Sequence, residues 1–242
     1  MYFERDGNLF ENKKEFKGFV IGCVLGGNTL GMWGQMKEAI FTVSHAISQK
    51  EYCMNKARLA SYLTRIRYNE DDKYSVFSSM THPFYTKLRE HFSCGDRYSF
   101  DEHVMKCLTP MSLAMWYQND GNYSHEKKNG KYYLPVIRLC SRFGDSKIEN
   151  EYLQYWLLKR FGIKFQLHST ITNNKKYWLL RLRKQDEITK FIDLINPWIV
   201  PSMKYKTPDA YHYEKVGMRR DSPAVLVKTK AFDMQETTAA II

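Results

Sequence analysis

Two short apolar segments of the same kind constrain the fold of this chain more than any other feature. The first is Val20-Ile-Gly-Cys-Val-Leu-Gly-Gly-Asn28, and the second is Leu113-Ala-Met-Trp-Tyr-Gln-Asn-Asp-Gly121. Both patterns are typical of a short apolar helix, but the second ends at the carboxylate of Asp120 and the first ends at Gly27. The sequence therefore predicts two copies of one structural unit, of which only one supplies an acid at its helix end.

The surrounding pattern repeats in the same order around both segments. Helices are expected at 15–26, 48–63, 83–92, 110–120, 146–161 and 186–199, and strands at 39–46, 64–68, 74–79, 131–141, 163–171 and 176–183. We interpret each half as a helix, two strands, a helix, two strands and a helix, with one strand of the first pair located at 39–46 and at 131–141. The sequence predicts an α+β fold with halves at 15–107 and 108–207 and a C-terminal appendage at 208–242.

Three glycines lie on one face of the first apolar helix. Gly18, Gly22 and Gly26 recur every four residues, which places them one above another on a helix. Small residues at this spacing let a second backbone approach closely. We expect this face to form an interface with the second apolar helix, with Ala114 as the small residue on that side.

Composition limits the class of partner. The chain has 242 residues, a formal net charge of +11 and a pI of about 9.3, which favours a polyanion as partner. No long apolar run predicts a membrane span, so no membrane partner is expected. The five cysteines have neither zinc-site spacing nor an even count, which fits an intracellular, reducing compartment.

Asp120 is an unusual residue at a helix C-terminus. The negative end of the helix dipole disfavours a carboxylate there by about 0.3–1 kcal/mol, and a divalent cation would reverse the sign. An ordinary Asp-Gly turn is the alternative explanation. If two helix ends meet side by side, however, the position suits Mg²⁺ and phosphodiester cleavage.

These segments resemble the motifs of a known family. Leu108-Thr-Pro-Met-Ser-Leu-Ala-Met-Trp-Tyr-Gln-Asn-Asp-Gly121 resembles the second motif of single-chain, intron-encoded LAGLIDADG homing endonucleases. Phe19-Val-Ile-Gly-Cys-Val-Leu-Gly-Gly-Asn-Thr-Leu30 resembles the first motif, and Ile199-Val-Pro-Ser-Met-Lys-Tyr-Lys206 resembles the end of the second repeat. The resemblance covers roughly residues 15–207.

The resemblance implies a fold and a chemistry. It implies two pseudo-symmetric αββαββα halves whose antiparallel sheets form a saddle in the DNA major groove, with divalent metal at the ends of the motif helices. The metal would be Mg²⁺, with Ca²⁺ or Mn²⁺ as substitutes. By position, Asp120 and Gly27 correspond to the two catalytic acids, with Arg97 and Lys206 as basic residues near the scissile phosphates. Surface charge is the alternative role for these two basic residues.

The chain departs from the family pattern in its first motif. Gly27 has no side chain to bind a metal, so only its carbonyl or that of Gly26 remains, and Asn119 stands where the family often has an acid. We expect a sequence-specific endonuclease of double-stranded DNA, monomeric, whose cleavage is reduced, limited to nicking or absent. The alternatives are a cleavage-deficient DNA-binding protein, an intron RNA-splicing maturase or an unrelated basic RNA-binding protein. The expected location is the cytoplasm of a bacterium or phage host, or an organelle matrix.

Polar side chains recur at every second residue of the predicted strands. Arg and Gln suit bidentate contact with base edges in the major groove, and a solvated strand face is the alternative. The candidate DNA-contacting residues are Thr42, Ser44, Arg65, Arg67, Arg138, Gln166, His168, Thr170, Arg181 and Arg183.

Overall fold

The architecture comes from a computed structural model, which describes residues 1–94, 97–128 and 131–208, except for the side chains of 93–98 and 126–134. The elements of the N-terminal part are β1 (Tyr2–Phe3), α1 (Lys13–Leu25), β2 (Thr29–Gly31), β3 (Ile40–Ala46), α2 (Lys50–Ala60), β4 (Ile66–Glu70), β5 (Tyr74–Ser79), α3 (Pro83–Glu90), β6 (Ser93–Cys94), β7 (Arg97–Tyr98) and α4 (Glu102–Lys106). Those that follow are α5 (Pro110–Asp120), β8 (Gly121–Lys128), β9 (Lys131–Leu139), α6 (Lys147–Phe161), β10 (Gln166–Thr172), β11 (Lys175–Leu182) and α7 (Gln185–Ile195). The appendage predicted from 208 onward lies, beyond Pro208, outside the described residues.

Side-chain caps fix where the two central helices begin. The Asn12 side chain accepts hydrogen bonds from the backbone N–H groups of Lys14 and Glu15, both at 3.0 Å. Thr109 and Ser112 form a reciprocal capping box at the start of α5, with Pro110 in the first turn. These caps satisfy backbone donors that would otherwise lack partners, so both helices start at residues set by the local sequence.

Two antiparallel sheets flank the central helices. The first has the strand order β1-β4-β5-β3-β2, and the second has the order β10-β11-β9-β8. A short hairpin pairs β6 with β7. The α+β class with antiparallel sheets, predicted from the repeated pattern, is confirmed.

The sequence pattern missed several strands. β2 and β8 follow directly after the central helices, and neither shows an alternation of apolar and polar residues long enough to predict a strand. The segment Gly121–Lys128 begins with Gly-Asn and is mostly polar, so it has low intrinsic strand propensity. Its strand character comes from pairing along β9.

Helices α1 and α5 form the centre of the hydrophobic core. Both are apolar around almost their whole circumference: residues 18–25 of α1 and 111–118 of α5 are buried. A helix that is apolar on all sides requires cover on all sides. Part of this cover comes from α7 against α5, from Phe84 of α3 against Phe16 of α1, and from Tyr52 of α2 against Met115 of α5. Within the described residues, no helix is long and apolar enough to cross a bilayer.

Candidate active site at the ends of the two central helices

The glycine face of α1 is in direct contact with α5. A Cβ atom added at Gly22 would lie 2.2 Å from the carbonyl oxygen of Ser112, and one at Gly26 would lie 2.6 Å from the Cβ of Asn119. At Gly18 the added atom would lie 2.7 Å from the Oγ1 of Thr109. Real Cβ atoms do not approach other atoms this closely, so the crossing of the two helices depends on glycine.

The partner residues on α5 differ from the prediction. The atoms nearest to the three glycines belong to Thr109, Ser112 and Asn119. Ala114, which the sequence suggested for this role, is buried but lies two residues from Ser112, about 200° around the helix. The glycines that permit close approach are therefore all on α1, and the residues that face them near or on α5 all carry side chains.

The two helices end side by side but in different ways. Gly27 has a φ of +91° and ends α1 in a Schellman motif, in which the Gly27 N–H donates to the Val24 carbonyl and the Asn28 N–H donates to the Cys23 carbonyl. Helix α5 instead continues to Asp120 and passes directly into β8. A Cβ at position 27 would lie 3.7 Å from the Oδ2 of Asp120, so one helix end provides a carboxylate and the other provides backbone.

Burial disfavours the ionised form of Asp120, and nearby positive charges favour it. Burial raises the pKa of Asp120 to about 6. The nearby cations Lys206, Lys56 and Arg142 act in the opposite direction and favour the carboxylate. At neutral pH the site is therefore a half-buried carboxylate surrounded by positive charge.

Lys206 caps the carbonyl end of α5. Its Nζ donates to the carbonyl oxygens of Gln118 and Asn119 at 2.7 and 2.9 Å. The Tyr117 hydroxyl donates to the Lys206 carbonyl at 2.6 Å, which fixes this segment against the helix. Burial lowers the pKa of Lys206 to about 8, while the Asp120 carboxylate acts to raise it. The lysine thus places a cation at the negative end of the helix dipole, next to Asp120.

A second, fully buried lysine forms hydrogen bonds with residues next to both helix ends. The Nζ of Lys56 donates to the Oδ1 atoms of Asn28 and Asn119, both at 2.8 Å, and lies 3.0 Å from the Nε2 of His45. These three acceptors match the three N–H donors of an ammonium group. Asn28 follows Gly27 and Asn119 precedes Asp120, so Lys56 ties together the residues next to both ends.

Lys56 was not among the predicted site residues, although the sequence contains a signal for it. Tyr52, Cys53, Lys56, Ala57 and Ala60 form the buried face of α2. A lysine within an apolar stripe at helical spacing is a candidate for a buried, paired charge. Its acceptors could not be foreseen, because they come from α5 and from the segments after α1 and before α2.

His45 continues this network towards the surface. Burial, followed by the charge of Lys56, lowers the pKa of His45 to about 3, so its ring is neutral at pH 7. Its Nε2 accepts from Lys56, and its Nδ1–H donates to the Oε1 of Gln49 at 3.1 Å. The Nε2 of Gln49 then donates to the Tyr205 hydroxyl at 3.1 Å. A continuous chain of hydrogen bonds therefore joins the buried ammonium to an exposed tyrosine beside Lys206.

The donor set fits a hard divalent cation only when further ligands come from outside the protein. Across the described residues, no group of three or more His, Cys, Asp or Glu side chains could hold a metal ion. The Asp120 carboxylate and the backbone carbonyls of Gly26 and Gly27 are oxygen donors of the kind that Mg²⁺ prefers, and Mg²⁺ is commonly held by one or two carboxylates plus substrate phosphates. Arg97, the remaining predicted catalytic residue, lies in β7, and its side chain is outside the described set.

The first sheet presents a row of polar side chains away from the core. The strand register aligns Tyr2, Arg67, Ser78, Thr42 and Thr29 across all five strands. Residues on the opposite face, such as Phe41 and Phe77, are buried. Ser44 lies on the same face as Thr42 and is exposed. Arg65 precedes β4, pairs with Glu4 at 2.9 Å and lies over the Tyr2 ring.

The second sheet has a corresponding row. Gln166, Arg181, Arg138 and Asn122 are aligned across its four strands. His168 and Thr170 project to the same side as Gln166, because they follow it at intervals of two. Arg138 donates from Nη1 to the Ser124 Oγ at 2.6 Å, and Arg183 is exposed just after β11. The structure thus places nearly all the predicted DNA-contacting residues on two sheet faces.

The model of the LAGLIDADG DNA endonuclease family matches residues 17–191. This chain belongs to the LAGLIDADG DNA endonuclease family. The matched region contains α5, α1 from residue 17 onward, and every strand of the two large sheets except β1.

Curated relatives with three different names are similar to parts of this chain. The chain is 25% identical over 196 residues to Protein RecA from Mycobacterium shimoidei, covering 77% of this chain and 45% of that protein. It is 33% identical over 106 residues to Probable intron-encoded endonuclease 1 from Wickerhamomyces canadensis (43% and 41% covered). It is 24% identical over 174 residues to Cytochrome b mRNA maturase bI2 from Debaryomyces hansenii (72% and 61% covered). The chain spans about half the length of the first of these relatives.

Solved structures share the fold. The homing endonuclease I-WcaI bound to its DNA recognition sequence matches with a TM-score of 0.64 and 21% identity, covering 80% of this chain and 85% of that one. A variant of I-DmoI in complex with its target DNA and in the presence of 2 mM Mn matches with a TM-score of 0.52 and 16% identity, covering 79% and 100%. The second of these structures was thus obtained in the presence of a divalent metal.

Proposed function

We propose that this chain binds a long, specific site in double-stranded DNA as a monomer, and that its cleavage centre cuts slowly and nicks one strand in preference to cutting both. The observation that supports this most directly is the pairing of Gly27 with Asp120. Two helix ends meet, but only one supplies a side-chain carboxylate. Strand cleavage that depends on an acid at each helix end would then be impaired on one strand.

Residues 15–107 and 108–207 are the two halves of the proposed DNA-binding saddle. The polar rows centred on Arg67 and on Arg181 and Arg138 face the major groove, where Arg, Gln and Thr recognise base edges. Exposed lysines and arginines contact phosphates and make binding dependent on salt. The net charge of +11 supports this arrangement.

Asp120 and the carbonyls of Gly26 and Gly27 are the groups of this chain that would hold Mg²⁺, with Ca²⁺ or Mn²⁺ as substitutes. When bound, a divalent cation stabilises the charge that develops on the scissile phosphate and activates water. Lys206, held by the end of α5, places its ammonium beside the same point. The hydrogen bond from Lys56 to Asn119 helps to fix the position of the two helix ends relative to each other.

The test begins with selection from a randomised double-stranded DNA pool in Ca²⁺, followed by digestion of supercoiled plasmid that contains the selected site in Mg²⁺. We expect one sequence to be enriched and open-circular plasmid to accumulate well before linear plasmid. Asp120→Asn should stop nicking and leave DNA affinity nearly unchanged. Enrichment of no sequence would overturn the proposal of DNA binding. Linear product formed as fast as nicked product would overturn the proposed strand preference.

Intron RNA splicing is the second candidate function. The similarity to a cytochrome b mRNA maturase extends over 72% of this chain, and with Gly27 the first helix end lacks a carboxylate that a splicing factor does not need. A competition between intron RNA and the selected DNA distinguishes the two functions. Tight binding to RNA with no DNA selected would favour splicing. Either partner requires a compartment that contains nucleic acid, such as bacterial or phage-host cytoplasm or an organelle matrix.

A further inference from the structure

An exposed tryptophan interrupts the polar face of the first sheet. Trp33 lies in the loop between β2 and β3, and 52% of its surface is exposed. Met32 and Met36 in the same loop are also exposed. A large indole that remains half in water is costly for an isolated protein, because burial of its apolar surface is favourable.

The indole ring of Trp33 packs directly against Gly31. A Cβ atom added at Gly31 would lie 2.2 Å from the Cη2 atom of Trp33 and 2.4 Å from its Cζ2 atom. Any side chain at position 31 would therefore displace the ring. Gly31 itself is buried, because the ring covers it.

The strand register shows on which face of the sheet the ring lies. Thr29 pairs with Thr42, Leu30 with Phe41 and Gly31 with Ile40. Leu30 and Phe41 point into the core, so the neighbouring pairs point to the opposite face. A Cβ at Gly31 would share the face of Thr29 and Thr42. The Trp33 ring therefore lies on the same face as the polar row proposed to contact DNA.

A tight turn holds the tryptophan in this position. The Met36 N–H donates to the Trp33 carbonyl at 3.3 Å, and Gly34 has a φ of +59°, a conformation that suits glycine in a hairpin turn. The ring is thus placed before any ligand binds, which reduces the entropy cost of a contact.

Resting on the proposed DNA binding, we propose that Trp33 is a specificity-determining residue that recognises a thymine through apolar contact with its 5-methyl group in the major groove. Thymine is the base that presents a methyl group in that groove. The polar neighbours Thr29, Thr42 and Arg67 suit hydrogen-bonding base edges, whereas the indole suits an apolar one. The partner is therefore a T·A pair and not a phosphate.

The position of that base pair follows from the chain length. Gly31 is four residues beyond Gly27, a span of at most about 14 Å. Since base pairs are stacked about 3.4 Å apart, the thymine lies within about five base pairs of the scissile phosphates.

The experiment replaces each thymine of the selected site in turn by deoxyuridine, which removes only the methyl group, and measures affinity in Ca²⁺. For the natural chain, one replacement within five base pairs of the cut should weaken binding about fourfold, the effect of one buried methyl group. For Trp33→Ala the same replacement should have less than a roughly twofold effect. Trp33→Phe, which keeps an aromatic ring, should retain part of the discrimination.

Tyr155→Ala is the matched control, because Tyr155 is equally exposed but lies on α6 and not in the two polar rows proposed to contact DNA. It should retain the full response to deoxyuridine. The proposal is overturned if no thymine methyl shows a coupling with Trp33, or if Trp33→Ala weakens binding equally for all sequences. Failure of the natural chain to select any DNA would instead overturn the proposed function itself.

Discussion

Gly27 faces the carboxylate of Asp120: a Cβ at position 27 would lie 3.7 Å from Oδ2. The two helix ends thus converge on one point, although they end by different local structures. Gly27 ends α1 because its positive φ closes a Schellman motif, and Lys206 ends α5 by binding its last carbonyls. Gly27 lacks a side-chain carboxylate, but it has a structural role as the residue that ends α1.

Gly27→Asp should add a carboxylate to the site at a cost in stability. The backbone at φ +91° disfavours any side chain by about 1–2 kcal/mol, and the new carboxylate repels Asp120. We expect a lower melting temperature in EDTA, a larger gain in melting temperature on addition of Mg²⁺ than for the natural chain, and more linear product in the plasmid assay. Gly27→Asn has the same backbone strain without the charge and should show no such gain from Mg²⁺. Equal responses of the two variants to Mg²⁺ would contradict the prediction.

Asp120→Asn should change how stability depends on pH in the absence of metal. Burial raises the pKa of Asp120 from its usual 3.8 to about 6 in the folded state. The unfolded chain therefore loses this proton first, and the ionised carboxylate destabilises the fold as pH rises from about 4 to above 6. We expect Asp120→Asn to be more stable than the natural chain by roughly 3 kcal/mol at pH 7.5 and nearly equally stable near pH 4. Urea unfolding in EDTA at both pH values measures this, and a constant difference would disprove it.

Lys56→Met should destabilise the chain by roughly 2–4 kcal/mol, because it leaves Asn28, Asn119 and His45 without their shared donor in the interior. Urea unfolding at pH 7 measures the loss. Lys50→Met is the control on the same helix. Lys50 is exposed and pairs with Glu70 at the surface, so its replacement should change stability by less than about 1 kcal/mol. Equal effects of the two variants would show that the Lys56 network contributes nothing.

Gly22→Ala should separate α1 from α5. The added Cβ would lie 2.2 Å from the Ser112 carbonyl oxygen, and neither backbone can move without disturbing the core. A loss of about 3 kcal/mol or more in thermal unfolding is expected. Gly7→Ala is the control, since no atom lies within 4 Å of a Cβ there, and its stability should remain close to that of the natural chain. A stable Gly22→Ala protein would disprove the close helix crossing.

Lys206→Ala should slow nicking roughly 100-fold while DNA affinity changes little, because it removes a fixed cation beside the reacting phosphate. It should also raise the pKa of Asp120, since Lys206 acts to lower it, and so move the pH–rate profile to higher pH. Lys204→Ala, an exposed lysine in the same segment, should weaken binding slightly and leave the profile in place. Equal losses in rate and affinity for Lys206→Ala would identify it as a plain phosphate contact.

The sequence by itself determined the order of the elements, the glycine face of α1 and the outward faces of the strands. These features depend on local periodicity, since a helix repeats every 3.6 residues and a strand every two. The alternation of polar and apolar residues at 166–170 and at 181–183 assigned Gln166, Thr170 and Arg181 to the outward face of the sheet. This assignment did not require knowledge of the neighbouring strands. Local patterns likewise gave Asp120 its place at a helix end.

Only the tertiary structure decided what surrounds that end. Lys56 is buried because acceptors from three separate segments meet at its ammonium, and Ser112, not Ala114, lies against Gly22 because the crossing of two helices selects the facing side. Trp33 lies on the sheet because β3 pairs with β2 and turns Gly31 outward. Each of these contacts depends on packing, which decides which distant residues meet and how their side chains are oriented. Packing is a property of the whole core, and no local pattern contains it.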